Sequence, residues 1–533
     1  MTRSRLALVA IVSLTCALGV VVDSPAVGQT NGLSTVLFAP EGAPPITSAF
    51  VTVANGHLSL GGSRVAFFGV NVDWWALASS LQWNGKAVVM DASQQAAVTA
   101  QLDNLVNAGV RAIRIHNLDC STGSNIFCAG NGPMTGTRTL DPMSVQALGW
   151  FVSQCNVRNL RIVLTINHAR TLQPASVVQG DVPPWPSACF AECVANGGNM
   201  HPWKWFETDG GLAALEAEYA ASLLAVPLSD GTPLGKSPVL LALVLQNEHS
   251  VVKDFSFSSP YPVLQGLLTA SQQAFAAAQN PPVKWVGTYT LNKTLIQQWL
   301  AGVETSFLTK QLAHIRTLTP ALVITNTYYG DGPWSMFPGM NIGDVIDEHF
   351  YSRYAATDTN GFLSGQSATS ARSRFAAVLA GGACASSTGV SSNPGKPQFV
   401  TEWGPVLQQP PFPRDPDTER ASVMKAMVQA AIAQDVDAVF LYSWAHAPIF
   451  PNGSPYTKLG SYDFRDDTVL LAGFPSHVAW FHDLTVRPTS STTIAPTNGL
   501  WGAGTGSGYQ LFGPYTDPAL YALPPGQKAT VTP

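Results

Sequence analysis

The feature that most restricts the fold of this chain is a succession of short apolar runs, each closing on a polar or aromatic residue. Eight are legible: Val65–Asn71, Arg111–Asn117, Arg161–Asn167, Leu240–Glu248, Leu322–Tyr329, Val345–Tyr351, Gln398–Trp403 and Ala438–Trp444. Runs this short and this apolar suit strands covered on both faces, as in a parallel sheet. Between them, helical spacing predicts Ser93–Ala108, Ser144–Asn159, Gly211–Leu224, Glu304–Thr317, Ser370–Ala380 and Thr418–Gln434. Strand and helix in such alternation predict an α/β fold, a (β/α)8 TIM barrel.

The barrel occupies residues 65–486 on this reading. Residues 29–64 form a small N-terminal β-hairpin region, with turns at Asn55-Gly56 and Gly61-Gly62. Residues 487–533, rich in Gly, Pro and Thr, form a short C-terminal β-type appendage. Residues 1–28 have the layout of a signal peptide: Arg3 and Arg5, an apolar stretch from Leu6 to Val22, then small residues at Ala26-Val27-Gly28. The competing reading is a membrane anchor, because the apolar stretch approaches spanning length. Two connections are long. Thr171–Thr208 is rich in Pro and Trp, and Ser250–Ala301 carries a predicted helix over Thr269–Gln279. Long loops after barrel strands are where specificity is usually built.

Composition narrows the partners. A net charge of -5 with only 11% charged residues, and no Lys/Arg run, argues against nucleic acid and against disorder. Removal of the signal leaves six cysteines in a chain expected outside the cell. Cys120/Cys128 and Cys189/Cys193 are spaced to close small loops, whereas Cys155 and Cys384 have no obvious mates. No H-E-x-x-H, no H-x-H on the first strand and no paired C-x-x-C occur, so no metal is expected. No G-x-S-x-G, G-x-G-x-x-G or G-x-x-x-x-G-K-[ST] is present, which disfavours a serine esterase and nucleotide cofactors.

Position along the strands carries the chemistry. The C-terminal strand ends of a parallel barrel converge on one face, and here they bear Asn71, Arg114 with His116, Asn167 with His168, Asn247-Glu248, His349 with Tyr351, Glu402 and Trp444. Spacing of two places Arg114 with His116, and His349 with Tyr351, on common sides of their strands. One site thus receives two carboxylates, the requirement for hydrolysing a glycosidic bond: one protonated, one ionised. Asn247 offers an amide to a sugar hydroxyl, Arg114 and Tyr351 are donors for Glu402, and Trp444 is placed to floor a sugar ring. Trp74 and Trp75 follow the first strand and could line subsites, or only pack; Trp185, Trp203, Trp205 and Trp334 share that ambiguity. Asp119 and Asp347 read as supporting residues. The bland alternative for Arg114 is a structural ion pair, and for His349, Tyr351 and Trp444 simple packing. For Asn247, Glu248 and Glu402 that alternative requires the same accident on two unrelated strands.

Arg114 on the second strand, Asn247-Glu248 on the fourth, His349-x-Tyr351 on the sixth, Glu402 in TEWG on the seventh and Trp444 in YSWAH on the eighth resemble the clan A glycoside hydrolases. Within that clan they look most like the family 5-like cellulases, mannanases and related bacterial polysaccharide-degrading enzymes. The resemblance covers roughly residues 50–485. It implies that Glu248 is the acid/base and Glu402 the nucleophile, with retention of anomeric configuration and no cofactor. The third strand, INHAR, matches more loosely, with His168 in the place of a substrate-binding histidine. The resulting expectation is a secreted, monomeric, endo-acting β-glycanase on carbohydrate, free of membrane contact once the signal is removed. The alternatives are an exo-acting β-glycosidase or transglycosylase and, in another class, a non-catalytic glycan-binding barrel. The last would be expected to lack one carboxylate.

Overall fold

The computed structural model describes residues 49–74, 92–119, 140–168, 188–195, 210–248, 261–286, 291, 293–327, 342–353, 395–406, 417–445, 464–465, 467–488, 491–494 and 528–531. All belong to the large unit Ala39–Pro533. The signal segment, Cys120, Cys128, Cys384, the Ser370–Ala380 helix and the tryptophans at 75, 185, 203, 205 and 334 lie outside the described residues.

Eight parallel strands form a nearly closed barrel. They are β4 (Phe67–Asp73), β5 (Ala112–His116), β6 (Arg161–Asn167), β7 (Leu240–Asn247), β8 (Leu322–Thr327), β9 (Ile346–Arg353), β10 (Gln398–Val406) and β11 (Ala438–Ala445). The hydrogen-bonded order is β8-β7-β6-β5-β4-β11-β10-β9. Between the two end strands, Asp344 does the joining. Its N–H donates to the Val323 carbonyl at 2.8 Å, and its carboxylate accepts from Val323 N–H at 2.7 Å and from Arg316. Gly343 beside it must be glycine-like, because a Cβ there would press into the Val323 carbonyl. Three short strands precede the barrel, β1 (Thr52–Ala54), β2 (His57–Leu60) and β3 (Ser63–Arg64), paired antiparallel as the hairpin region predicted. At the other end β12 (Ser491–Ile494) pairs in parallel with β13 (Lys528–Val531), the short β-type appendage.

Period-two alternation sorts the strands into two faces, except where β10 and β11 break register. Phe68, Val70, Val72, Ile113, Ile115, Ile162, Leu164 and Val400 point outward into the main hydrophobic cluster beneath the helices. Phe67, Ala112, Val163, Ile324, Phe399 and Phe440 point inward and fill the barrel. Gly69 completes that filling by omission. A Cβ there would enter the Phe440 ring and come to 2.9 Å from the Ala112 carbonyl.

The helices among the described residues are α1 (Ala92–Asn107), α2 (Pro142–Asn156), α3 (Ala188–Ala195), α4 (Gly210–Leu224), α5 (Pro262–Ala277), α6 (Lys293–Leu318), α7 (Asp417–Ala433) and α8 (Thr468–His482). Asp141 caps α2 by accepting from Ser144 N–H at 2.7 Å, with Pro142 in the first turn where its missing N–H does no harm. Two helices were not foreseen. In α8, Gly473 and Pro475 read as breakers, yet Leu470, Phe474, Val478 and Phe481 form a buried stripe. Phe68 meets Phe474 and Phe481 edge to face at 5.5 and 5.8 Å, so packing overrides local propensity. In α3 the segment thought to be a cysteine-closed loop is helical, with buried Cys189 one turn from Cys193. A second apolar cluster joins α3, α4, α5 and α6 through Leu212, Leu215, Leu264, Leu268, Trp299 and Phe307. Glu192 of α3 caps α5 there, accepting from Val263 N–H at 2.7 Å and Leu264 N–H at 3.0 Å. Cys155 is a free buried thiol, and its burial pushes the pKa above the usual thiol range. No helix among the described residues is long and apolar enough to cross a membrane.

Candidate active site

Inward-facing residues change from apolar to polar towards the C-terminal ends of the strands. There Arg114, fully buried, donates through Nη1 to Glu402 Oε1 at 2.6 Å and to Asn71 Oδ1 at 3.0 Å. Its Nη2 donates to Asn247 Oδ1 at 2.5 Å. Three strands are thereby tied to one guanidinium, whose charge favours the ionised form of Glu402. Asn71 is itself anchored, donating through Nδ2 to the carbonyls of Thr401 at 2.9 Å and Phe440 at 3.1 Å. His116 Nε2 stands 3.8 Å from Glu402 Oε1.

Glu402 reaches this position through a local irregularity. The register of β10 shifts against both neighbours between Phe399 and Trp403. A bulge of this kind re-aims side chains. Thr401 and Glu402 both serve the interior, while Trp403 turns outward to meet Phe68 at 5.8 Å. Glu248 is placed differently. Just past the end of β7 it adopts φ +57°, a left-handed conformation uncommon for a residue with a side chain. Its N–H is held by the carbonyl and hydroxyl of Thr327, each at 3.1 Å.

His349 stands between the two glutamates. Its Nδ1 lies 2.7 Å from Glu248 Oε1 and 3.6 Å from Glu402 Oε2, and its Nε2 lies 2.9 Å from the Thr401 hydroxyl. Burial opposes charge on this ring, but Glu402, Glu248 and Asp347 together outweigh it, and the His349 pKa is raised. Asp347, one inward step back on β9, accepts from Thr401 N–H at 2.8 Å and from the Thr401 hydroxyl at 2.5 Å. Burial raises its pKa, against the pull of His349, the Thr401 hydroxyl and Arg114. The glutamates differ in exposure as well: the Glu248 side chain is 22% accessible and that of Glu402 6%. Glu248, His349 and Glu402 each offer a donor atom within 4.8 Å of the others, close enough to surround a cation. That donor set is already engaged, by Arg114 on Glu402 and at both ring nitrogens of His349.

A second polar group joins the first through Asn247. Asn247 Nδ2 lies 2.9 Å from His168 Nδ1, and His168 N–H donates to Asp119 at 2.9 Å. The rings of His116 and His168 meet at 4.3 Å. Tyr442 lies 6.0 Å from His116, its hydroxyl 3.3 Å from both oxygens of Asp73, which also accepts from Asn117 Nδ2 at 3.0 Å.

The strand ends thus bring together Arg114, His116, His168, Asn247, Glu248, His349 and Glu402. Two expected residues are not brought to the site. Trp74 is fully buried in the outer cluster, as its odd spacing from inward Asn71 requires. Trp444 packs outward too, 6.4 Å from Phe474 of α8, because the register of β11 breaks between Leu441 and Ala445. Tyr442 takes the inward aromatic position instead. The backbone of Tyr351 belongs to β9, and its side chain lies outside the described residues. Sequence reasoning passed over Thr327, Thr401, Tyr442 and Asp73. Of these, Thr401 adjoins Glu402, Tyr442 stands two before Trp444, and Asp73 lies between Asn71 and Trp74.

No family model and no curated protein matches the sequence. Among solved structures, the chain is similar to the endo-1,4-beta-mannanase of Rhizomucor miehei at 14% identity and a TM-score of 0.47, over 81% of this chain and all of that one. Similarity to the endo-beta-1,4-mannanase of Thermotoga petrophila is at 12% identity and a TM-score of 0.48, over 79% and 78% of the two chains. A GH5_18 protein from Streptomyces cattleya, solved with GlcNAc, is similar at 16% identity and a TM-score of 0.48, over 81% and 84%.

Proposed function

We propose that this chain is a retaining glycoside hydrolase, acting from within the chain on a β-linked polysaccharide outside the cell. The observation that carries the reading is the meeting of Glu248 and Glu402 at the strand ends, with an oxygen of each within 4.8 Å of the other. Double displacement needs carboxyl groups about 5–5.5 Å apart, whereas inversion needs roughly 6.5–9.5 Å to admit a water between them. The environments also divide the labour. Glu402 is buried on a guanidinium, suited to an ionised nucleophile; Glu248 is more exposed and faces a histidine, suited to an acid that exchanges protons.

In this mechanism Glu248 protonates the departing glycosidic oxygen while a Glu402 oxygen bonds to the anomeric carbon. Water, deprotonated by Glu248, then displaces Glu402 with net retention. Asn247, His116 and His168 would contact sugar hydroxyls, and Tyr442 would cover a ring face. The export-type N-terminus supports secretion. Endo action is the reading that fits a secreted enzyme with long, tryptophan-rich loops.

The test is product analysis on cellulose, β-glucan, mannan, xylan, agarose and galactan, with the anomeric form of the first product followed by NMR. Oligosaccharides released with retention by the wild type, and nothing released by Glu402→Ala, are expected. Release of monosaccharide alone would move the reading to exo action. Initial products of inverted configuration would remove Glu402 from the nucleophile's role. Polymer retained without cleavage would favour a binding barrel.

A further inference from the structure

Both ring nitrogens of His349 are engaged, and the chain of partners behind Nε2 decides where the protons lie. Thr401 has one hydroxyl hydrogen. Its oxygen lies 2.5 Å from Asp347 Oδ2, and the other Asp347 oxygen is taken by Thr401 N–H at 2.8 Å. With the hydroxyl hydrogen directed to the carboxylate, the hydroxyl oxygen accepts from His349 Nε2 at 2.9 Å. While Asp347 is ionised, Nε2 therefore carries a hydrogen whether the ring is charged or neutral, and only Nδ1, 2.7 Å from Glu248 Oε1, is left to gain or lose one.

We propose that Asp347, acting through the Thr401 hydroxyl, is a positioning residue that locks His349 in its Nε2–H form, so that Nδ1 and Glu248 share a single exchangeable proton. The inference rests on the reading of Glu248 as acid/base. Asp347, Thr401 and His349 are all fully buried, which preserves the geometry and excludes water as a competing partner. The titratable and charged groups facing the ring are Glu248 just past β7, Glu402 from β10 and Asp347 from its own strand, with Arg114 and His116 of β5 behind Glu402. Burial opposes charge on the ring, but Glu402, Glu248 and Asp347 outweigh it and raise the His349 pKa, so the ring can hold the proton when substrate is absent.

The step balances. A proton leaves His349 Nδ1 for Glu248 Oε1, converting imidazolium and carboxylate into imidazole and carboxylic acid. Glu248 then gives that proton to the glycosidic oxygen as its bond to the anomeric carbon breaks and the bond to Glu402 forms. In the second half-reaction Glu248 takes a proton from the attacking water and can return it to Nδ1.

The test reads the ring directly and needs no substrate: 15N chemical shifts of the imidazole nitrogens in histidine-labelled full-length protein, with His349 assigned by loss of its signals in His349→Gln. Above the ring's titration, wild type should show a protonated Nε2 and a bare Nδ1. In Asp347→Asn the side-chain oxygen is still claimed by Thr401 N–H, so the amide NH2 faces the hydroxyl. The hydroxyl must then turn to Nε2, and the proton should appear on Nδ1. Thr401→Val should lower the pH at which the ring titrates, and Thr401→Ser should restore the wild-type pattern. In activity, Asp347→Asn should lower kcat/KM at least tenfold on polymer but far less on 2,4-dinitrophenyl glycosides, which need little acid assistance. A wild-type tautomer retained in both Asp347→Asn and Thr401→Val overturns the proposal. Should Asp347→Asn fail to fold, the Thr401 pair decides it. If wild type cleaves no glycoside, the glycosidase reading fails while the 15N measurement still decides whether the lock exists.

Discussion

Replacing Arg114 by methionine keeps an unbranched stem of similar length in the barrel while removing the guanidinium. Glu402 then loses its bond at 2.6 Å, and the acceptor oxygens of Asn71 and Asn247 lose theirs. Arg114 is fully buried and Glu402 nearly so, which prevents water from replacing the lost donors. Removing one partner of a buried pair costs up to about 3–5 kcal/mol, and His349 and His116, 3.6 and 3.8 Å from Glu402, offset part of it. A unit this large has a large unfolding entropy, so its Tm falls by only a few degrees, and denaturant titration resolves the change better. The decisive assay is a double-mutant cycle with Glu402→Gln. Neutralising the carboxylate removes the charge that Arg114→Met leaves less well supported, so the double variant should be more stable than the sum of the singles by at least about 1 kcal/mol. Additivity within about 0.5 kcal/mol would show that guanidinium and carboxylate do not depend on each other and refute the argument.

Other consequences follow from the packing. His482 is buried against Arg111 and Arg487, its pKa lies well below 6.5, and its Nε2 accepts from Phe68 N–H at 2.9 Å. The folded state therefore keeps the ring neutral while the unfolded chain protonates it. Stability present above pH 6.5 should fall as pH drops from there, by up to about 1.4 kcal/mol per pH unit, and His482→Gln should flatten that slope. Gly69→Ala should cost about 1–3 kcal/mol by overpacking against Phe440, read as a lower denaturation midpoint, and Phe440→Leu in the same chain should recover part of it. Glu192→Ala should cost about 1 kcal/mol and speed hydrogen exchange at the Val263 and Leu264 amides, leaving the barrel strands unchanged.

The barrel was legible because each strand's apolar run ends where the chemistry begins. Arg114, His116, Asn247 and His349 stand at those ends and meet around the two glutamates. Trp74 was legible in principle: three residues beyond inward Asn71, it had to face outward. Trp444 was not. Counting by twos from Ala438 through Phe440 and Tyr442 puts it inside, and only the register break before Ala445 exchanges its place with that expectation. The same holds for Thr401 and Glu402, which alternation sends to opposite faces and the β10 irregularity gathers on one. Helix α8 was hidden by Gly473 and Pro475, whose local cost is offset by aromatic contacts with Phe68, a residue some 400 positions away in sequence. Alternation is a local rule; bulges and distant contacts are decided by the assembled sheet.

The join between β8 and β9 has a mechanical meaning. Seven of the barrel's boundaries are laced by ladders in which many peptide groups share the load. At the eighth, among the described residues, Asp344 stands in for a strand, with Arg316 donating to its carboxylate and Lys396 to the carbonyl of Gly343 before it. A hoop fastened by one clasp parts there first. Heat or pressure should therefore loosen the Val323 and Asp344 amides, read as faster hydrogen exchange, before those of the seven laced boundaries.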